Sequence, residues 1–134
     1  MKQKIDVKNL IIKAIQAQKQ SYSPYSKFKV GASVLCESGN IYTGVNIENA
    51  SYPAGICAER VALSNAISSG ETQFVALAIT CSGNDYPYPC GLCRQFIAEF
   101  NNDIKIYIAK NETDYVSTSL KKLLPCSFNH NSLK

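Results

Sequence analysis

Three cysteines of this chain have the spacing of ligands to a single metal ion. Cys90 and Cys93 stand three residues apart in the run Pro-Cys-Gly-Leu-Cys, and Cys57 begins the earlier run Cys-Ala-Glu-Arg. Thiolates suit Zn²⁺, and three protein ligands leave one of its four tetrahedral positions for water. A zinc site of this kind is hydrolytic, because that water can react. We expect one Zn²⁺ per chain, held by Cys57, Cys90 and Cys93.

Glu59 follows Cys57 by two residues, and its carboxylate is predicted to handle protons beside the metal rather than to bind it. Zinc with three thiolates carries a formal charge of −1, which weakens its ability to acidify water. Both cysteine motifs are predicted to begin helices, whose N-termini offset part of that charge. Arg60 is predicted to offset more of it by donating hydrogen bonds to a ligand thiolate, and Gln95 is predicted to hold Arg60 in place.

The cysteines admit two further interpretations. A Cys-x-x-Cys pair also occurs in redox dithiols and in closed structural zinc sites, where Cys81 would be the fourth ligand. Neither interpretation accounts for Glu59. Cys36, Cys81 and Cys126 are therefore predicted to be buried thiols.

Composition indicates one globular domain, over residues 1–134, and is compatible with a small neutral ligand. The net charge is only +4 and no long basic stripe occurs, which argues against a nucleic-acid partner. No apolar run approaches the ~20 residues of a membrane span, so no membrane partner is expected. The charged start, Met1 to Asp6, does not resemble a secretory leader. We expect a cytoplasmic protein.

Hydrophobic periodicity predicts the elements that position these residues. The apolar run over residues 74–80 indicates a central strand covered on both faces. The order αββαβαβ(β)α predicts an α/β fold, a three-layer α/β/α sandwich with a mixed central sheet of roughly five strands. Helices are predicted over residues 5–18, 57–69, 90–100 and 119–124, and strands over 28–35, 41–46, 74–80, 104–108 and near 114–116, with 28–35 and 41–46 paired as a hairpin.

The two cysteine motifs together, Cys-Ala-Glu and Pro-Cys-x-x-Cys, resemble the signature of the zinc nucleoside and nucleobase deaminases. A cysteine at position 57, where many members have His, resembles the short, homotetrameric cytidine deaminases of the cytidine and deoxycytidylate deaminase family. Residues 22–32, 44–50, 89–95 and 123–128 are similar to further motifs of that family. The resemblance therefore spans about residues 5–128.

The resemblance implies a cytidine deaminase-like fold and a reaction of pyrimidine salvage. Cytidine and deoxycytidine would be hydrolysed to uridine and deoxyuridine with release of ammonia, in a homotetramer with shared active sites. It also assigns residues to the substrate: Phe28 to the pyrimidine or sugar, Asn46 and Glu48 to the ribose hydroxyls, the Ala58 backbone N–H to the base O2, and Tyr52 and Phe128 to a neighbouring subunit's pocket.

Other functions share parts of this pattern. A deaminase of a modified cytosine nucleoside, such as the blasticidin S type, has the same zinc motifs, but the run from Asn46 to Ala50 suits an unmodified ribose. A polynucleotide or tRNA deaminase is disfavoured by the weakly basic composition. A non-catalytic zinc-binding module is disfavoured by Glu59 beside a site with only three cysteine ligands.

Overall fold

The structure is a computed structural model that describes residues 4–134; the first three residues of the predicted 1–134 domain lie outside the described residues. Every predicted helix and strand is present and begins close to its predicted start. The elements are α1 (Val7–Gln18), β1 (Val30–Cys36), β2 (Ile41–Val45), α2 (Ala58–Ser68), β3 (Phe74–Cys81), α3 (Gly91–Phe100), β4 (Lys105–Ala109), β5 (Tyr115–Ser119) and α4 (Leu120–Leu123), with short 3-10 turns at Tyr52–Ala54 and His130–Leu133.

The five strands form one mixed sheet in the order β2-β1-β3-β4-β5. Strand β1 is antiparallel to both β2 and β3, which confirms the predicted hairpin. Strand β3 is parallel to β4, and β4 is antiparallel to β5. All residues of β3 except Val75 are buried, and the strand lies at the centre of the sheet, as its continuous apolar run predicts.

Helices cover both faces of the sheet, so the predicted three-layer sandwich is confirmed. Successive residues of a strand point to opposite faces, and β3 supplies a side chain to each layer in turn. Ala76 and Ala78 pack under α1, while Leu77 and Ile79 belong to the larger cluster under α2 and α3. Small alanines under α1 let that helix lie close to the sheet.

Helices α2 and α3 pack on the same face of the sheet and contact each other. Each begins directly after the first cysteine of its motif, with Cys57 at the N-cap of α2 and Cys90 at the N-cap of α3. The shared face therefore brings two distant stretches of sequence to one end of the sheet. Within residues 4–134, no helix has the length and apolar character to cross a membrane.

Candidate active site

The sulfur atoms of Cys57, Cys90 and Cys93 lie within 4.8 Å of one another. The Sγ atoms of Cys57 and Cys90 are 3.6 Å apart. Tetrahedral zinc with Zn–S bonds of about 2.3 Å places two sulfurs about 3.8 Å apart, so the sulfurs are spaced as zinc ligands. No fourth His, Cys, Asp or Glu from the described part of the chain joins the group. The arrangement fits a zinc site with three protein ligands.

The backbone around these cysteines favours thiolates. Cys57 and Cys90 have extended backbone at the N-caps of α2 and α3, and Cys93 lies in the first turn of α3. Neither N-cap side chain accepts a hydrogen bond from its helix, so both sulfurs remain available. The partial positive charge of two helix N-termini stabilises negative charge on the sulfurs.

Without a cation, the three thiols favour a single negative charge. A hydrogen bond from Cys93 lowers the pKa of Cys57 to about 5, and the same contact raises the pKa of Cys93. A second thiolate at this distance is opposed by repulsion and by burial. A bound divalent cation removes that opposition, and the soft sulfur donors match Zn²⁺.

Glu59 lies in the first turn of α2 and is only 4 % exposed. Burial raises the pKa of its carboxyl to about 7. A carboxyl with a pKa near neutrality can both accept and release a proton during a reaction. The carboxyl lies in the wall of the same cleft as Cys57 and Cys90, as expected for a residue that handles protons beside the metal.

Arg60 contacts the sulfur cluster as predicted, but Gln95 does not hold it. Arg60 Nη2 donates to Cys57 Sγ at 3.9 Å, and Arg60 Nε is buried with no hydrogen-bond partner among the described residues. Gln95 Nε2 instead donates to the carbonyl of Phe128 at 2.6 Å, so the predicted contact between Gln95 and Arg60 is wrong. The Gln95 side chain ties α3 to the C-terminal segment.

Arg94 stabilises the second cysteine motif, a role that the sequence did not predict. Its Nε donates to the carbonyl of Pro89 at 2.8 Å, and its Nη1 donates to the carbonyl of Leu123 at 2.8 Å. These bonds fix the residue before Cys90 and connect it to α4. The only signal in the sequence is the position of Arg94 directly after Cys93.

A cleft of about 1080 Å³ runs past the cysteine cluster and collects most of the predicted site residues. Phe128 does not line this cleft of its own chain, and its side chain is 61 % exposed. Cys93, which is buried, and Gln95, which is exposed, do not line the cleft either. The predicted site residues that line the cleft are Phe28, Asn46, Glu48, Tyr52, Cys57, Ala58, Glu59, Arg60 and Cys90.

Asn46 and Glu48 are held in place by their own chain. Asn46 Nδ2 donates to the carbonyl of Phe28 at 2.7 Å, and Asn46 Oδ1 accepts from the Val30 amide at 2.9 Å. Glu48 accepts from the Ser26 hydroxyl and backbone amide, and these bonds lower the pKa of its carboxyl. Glu48 is therefore an anion at neutral pH and remains a hydrogen-bond acceptor for a ligand.

Two tyrosines of the loop before the second motif also line the cleft, although no motif of the sequence predicted a role for them. Tyr86 donates to Asp114 Oδ1 at 2.6 Å, and Lys110 Nζ lies 4.5 Å from the centre of its ring. Tyr88 is exposed on the cleft wall beside Cys90. Their aromatic side chains directly before the Pro-Cys-x-x-Cys run are the feature of the sequence that could have indicated a place in the site.

The remaining cysteines do not join the site. Cys36 and Cys81 are buried free thiols, as predicted. Cys81 Sγ lies 3.6 Å from the carbonyl of Asp85 and is not part of the metal cluster, so it is not a fourth ligand. Cys126 is exposed, and the prediction of burial is wrong there: it stands in the segment after α4 with a positive φ of 55°.

A match to a protein family identifies the kind of zinc site that these residues form. Residues 4–110 match the model of the cytidine and deoxycytidylate deaminase zinc-binding region. The chain belongs to this family. The description of the family as zinc-binding and the cluster of three sulfurs confirm the prediction of Zn²⁺.

Relatives in this deaminase family match nearly the whole chain. The cytidine deaminase of Sporosarcina psychrophila is 45% identical over 96% of both chains. That of Halalkalibacterium halodurans is 42% identical over 92% of this chain and 95% of its own. The crystal structure of the cytidine deaminase from Burkholderia pseudomallei superposes with a TM-score of 0.85 at 37% identity, covering 90% of this chain and 97% of that one. The predicted fold is confirmed.

Proposed function

We propose that this chain catalyses the hydrolytic deamination of cytidine and deoxycytidine to uridine and deoxyuridine, with release of ammonia. The observation that carries this proposal is the buried Glu59 carboxyl in the same cleft as Cys57 and Cys90, whose sulfurs cluster with that of Cys93. Relatives of nearly the same length, named cytidine deaminases, support the substrate. Neither a blasticidin S-type deaminase nor a non-catalytic zinc module is favoured by these relatives.

Cys57, Cys90 and Cys93 would hold the zinc ion. When bound there, Zn²⁺ supplies Lewis-acid chemistry that lowers the pKa of water towards about 7. Arg60 donates to Cys57 Sγ and, with the N-termini of α2 and α3, offsets the negative charge of the thiolates. These groups keep the site electrophilic enough to activate water.

Glu59 would carry both protons of the reaction. It accepts a proton from the attacking water and delivers it to N3 of the pyrimidine while the water oxygen bonds to C4. It then takes the second proton from the hydroxyl on C4 and delivers it to the exocyclic nitrogen, the C4–N bond breaks, and ammonia leaves as the C4 carbonyl forms. Neutral cytosine is a poor electrophile, so protonation at N3 matters as much as the nucleophile. The buried position of Glu59 suits a carboxyl that alternates between charged and neutral states.

The cleft wall offers one group to each part of a nucleoside. Ala58 is the first residue of α2, and an N–H at that position has no partner within its helix, so it is available to the base O2. Asn46 and Glu48 present polar groups for the ribose hydroxyls. The Phe28 ring, 44 % exposed, lines the cleft where the pyrimidine or sugar would lie.

The proposal includes a homotetramer with shared active sites. Tyr52 is 78 % exposed on the cleft rim, and Phe128 is exposed outside the cleft of its own chain. Large apolar side chains left in solvent around a cleft are typical of a surface covered by another chain. Tyr52 and Phe128 would then complete a neighbouring cleft. The single domain over residues 1–134 and the cytoplasmic location stay predictions from the sequence.

The test is an assay of zinc-loaded protein with cytidine, deoxycytidine, CMP and blasticidin S, following ammonia release and absorbance. We expect turnover of the two nucleosides. Glu59→Gln should keep its zinc and lose about a thousandfold in kcat, because the amide cannot transfer protons. The control Glu37→Gln changes an exposed glutamate outside the cleft and should match wild type. Near-normal turnover by Glu59→Gln, or no ammonia from either nucleoside with wild type, would refute the proposal.

A further inference from the structure

We propose that Ser26 is a positioning residue for the deamination, acting through Phe28. This inference rests on the proposed function, in which Phe28 lies against the nucleoside. Ser26 lines the cleft, and its hydroxyl connects the Glu48 carboxylate to the Phe28 backbone. The side chains proposed to bind the ribose thus also hold the aromatic ring proposed to lie against the nucleoside.

The Glu48 carboxylate organises the loop ahead of β1. Its Oε1 accepts the backbone amides of Tyr25 at 3.0 Å and Ser26 at 3.1 Å, and its Oε2 accepts the Ser26 hydroxyl. Three donors on one carboxylate form charge-assisted hydrogen bonds, which are stronger than hydrogen bonds between neutral groups. The loop is therefore anchored at Ser26 by both its backbone and its side chain.

The Ser26 hydroxyl connects Phe28 to the Glu48 carboxylate. Ser26 Oγ accepts the Phe28 amide N–H at 3.0 Å while its own proton goes to Glu48. Lys27, between them, has a left-handed φ of 61°, a conformation that costs about 1 kcal/mol or more in residues with a Cβ. Such a backbone persists only where surrounding contacts hold it. The Ser26 bridge, from Glu48 through Ser26 Oγ to the Phe28 amide, provides those contacts together with the bond from the Lys27 amide to the Ser23 carbonyl.

Asn46 and Gly83 hold Phe28 from its other sides. Asn46 Nδ2 donates to the Phe28 carbonyl at 2.7 Å. A Cβ on Gly83 would lie 3.0 Å from Phe28 Cε1, so the ring rests against a residue without a side chain. The amide, the carbonyl and one edge of the ring are thus each fixed by a different residue. Of these contacts, the hydrogen bond from the Phe28 amide to Ser26 Oγ can be removed without changing a residue proposed to bind the nucleoside.

Loss of the Ser26 hydroxyl should therefore reduce the fraction of molecules with Phe28 in its binding orientation. The apparent dissociation constant rises as that fraction falls. We expect Ser26→Ala to raise KM for cytidine about tenfold, the equivalent of one hydrogen bond to a charged network, and to change kcat less than about threefold. Ser26→Thr keeps the hydroxyl, and its KM for cytidine should stay within about threefold of the wild-type value.

A double-mutant cycle with Phe28→Leu separates positioning from direct contact with the substrate. If Ser26 acts through Phe28, then Ser26→Ala changes kcat/KM less than about twofold in the Phe28→Leu background, because coupled residues are not additive. Ser68→Ala is the matched control, since Ser68 is an exposed serine of α2 whose side chain forms no hydrogen bond with the described residues. Additive effects of Ser26→Ala and Phe28→Leu would overturn the proposal.

Amide hydrogen exchange tests the bridge without any activity. In Ser26→Ala the Phe28 amide should exchange at least about tenfold faster than in wild type, because it loses the one acceptor it has among residues 4–134. In Ser68→Ala its exchange should be unchanged. Equal exchange in wild type and Ser26→Ala would overturn the inference. Failure of wild type to deaminate cytidine would contradict the proposed function instead, and the exchange rates would still decide whether the bridge exists.

Discussion

Gly44 of β2 lies directly against the backbone of Ala62 in α2. A Cβ on Gly44 would lie 2.3 Å from the Ala62 amide nitrogen and 2.6 Å from the Ala58 carbonyl oxygen. These two atoms belong to the first turns of α2, the helix that begins after Cys57 and carries Glu59. The absence of a side chain at Gly44 thus sets how closely the metal-binding end of α2 approaches the sheet.

Gly44→Ala should displace α2 and weaken both the fold and the zinc site. Backbone atoms cannot yield as a flexible side chain does, so we expect a loss of about 3 kcal/mol in the free energy of unfolding. Zinc affinity should fall as well, because Cys57 moves relative to Cys90 and Cys93. Urea unfolding and zinc content measure the two effects. Gly91→Ala is the control, since a Cβ there meets no atom within 4 Å. Equal free energies of unfolding for Gly44→Ala and Gly91→Ala would contradict this prediction.

Arg60→Gln should lower zinc affinity about tenfold or more. Arg60 places the guanidinium charge 3.9 Å from Cys57 Sγ, and contacts of this kind to a metal ligand commonly contribute 10- to 100-fold to affinity. Competition with a chromogenic chelator gives the dissociation constant. Arg60→Lys keeps the charge but loses the planar donors, so its zinc affinity should lie between those of wild type and Arg60→Gln. Unchanged affinity in Arg60→Gln would remove Arg60 from the metal site.

Glu71 should contribute stability at neutral pH that is lost in acid. Its carboxylate accepts from the Ser38 hydroxyl, from Asn40 Nδ2 at 2.9 Å and from the Tyr42 hydroxyl at 2.7 Å, and these bonds lower its pKa below the ordinary 4.5. A carboxyl whose pKa is lower in the folded state stabilises fully above its unfolded pKa. That contribution disappears as the pH falls through the folded pKa.

Glu71→Gln should accordingly be less stable than wild type at pH 7, and the difference should shrink below about pH 4. Urea unfolding at pH 7 and pH 3.5 measures it. Glu112→Gln changes an exposed glutamate without side-chain hydrogen bonds to described residues. Its free energy of unfolding should equal that of wild type at both pH values. A difference that grows in acid would have the wrong sign for this explanation.

Cys126→Gly should stabilise the protein by about 0.5–1 kcal/mol. Cys126 has a positive φ of 55°, which glycine adopts freely and a residue with a Cβ adopts at a cost of about 1–2 kcal/mol. Part of the gain is cancelled by the greater entropy of glycine in the unfolded chain. Urea unfolding under reducing conditions measures the change. Cys126→Ala keeps the Cβ and should match wild type, so equal stabilisation by alanine would point to the thiol and not to the backbone.

Local pattern was enough to predict the helices, the strands and the metal ligands. The α1 and α2 regions show helical periodicity, and the apolar run of β3 indicates a strand buried on both faces. Cys90 and Cys93 lie one helical turn apart, so their convergence follows from helix geometry alone. Cys57 was predicted as the third ligand because it begins another helix and precedes Glu59 by two residues, although no local spacing relates α2 to α3.

Residue types and their spacing were sufficient to predict the chemistry of this protein: which sulfurs can hold zinc, which carboxyl lies beside them, and which elements carry both. The hydrogen-bond partners that orient those groups could be seen only in the folded chain. Gln95 donates to the Phe128 carbonyl and not to Arg60, and Ser26 joins Glu48 to Phe28. The partners Gln95 and Phe128 lie 33 residues apart in the chain. Such bonds depend on how elements pack, whereas periodicity and spacing describe only neighbours along one element.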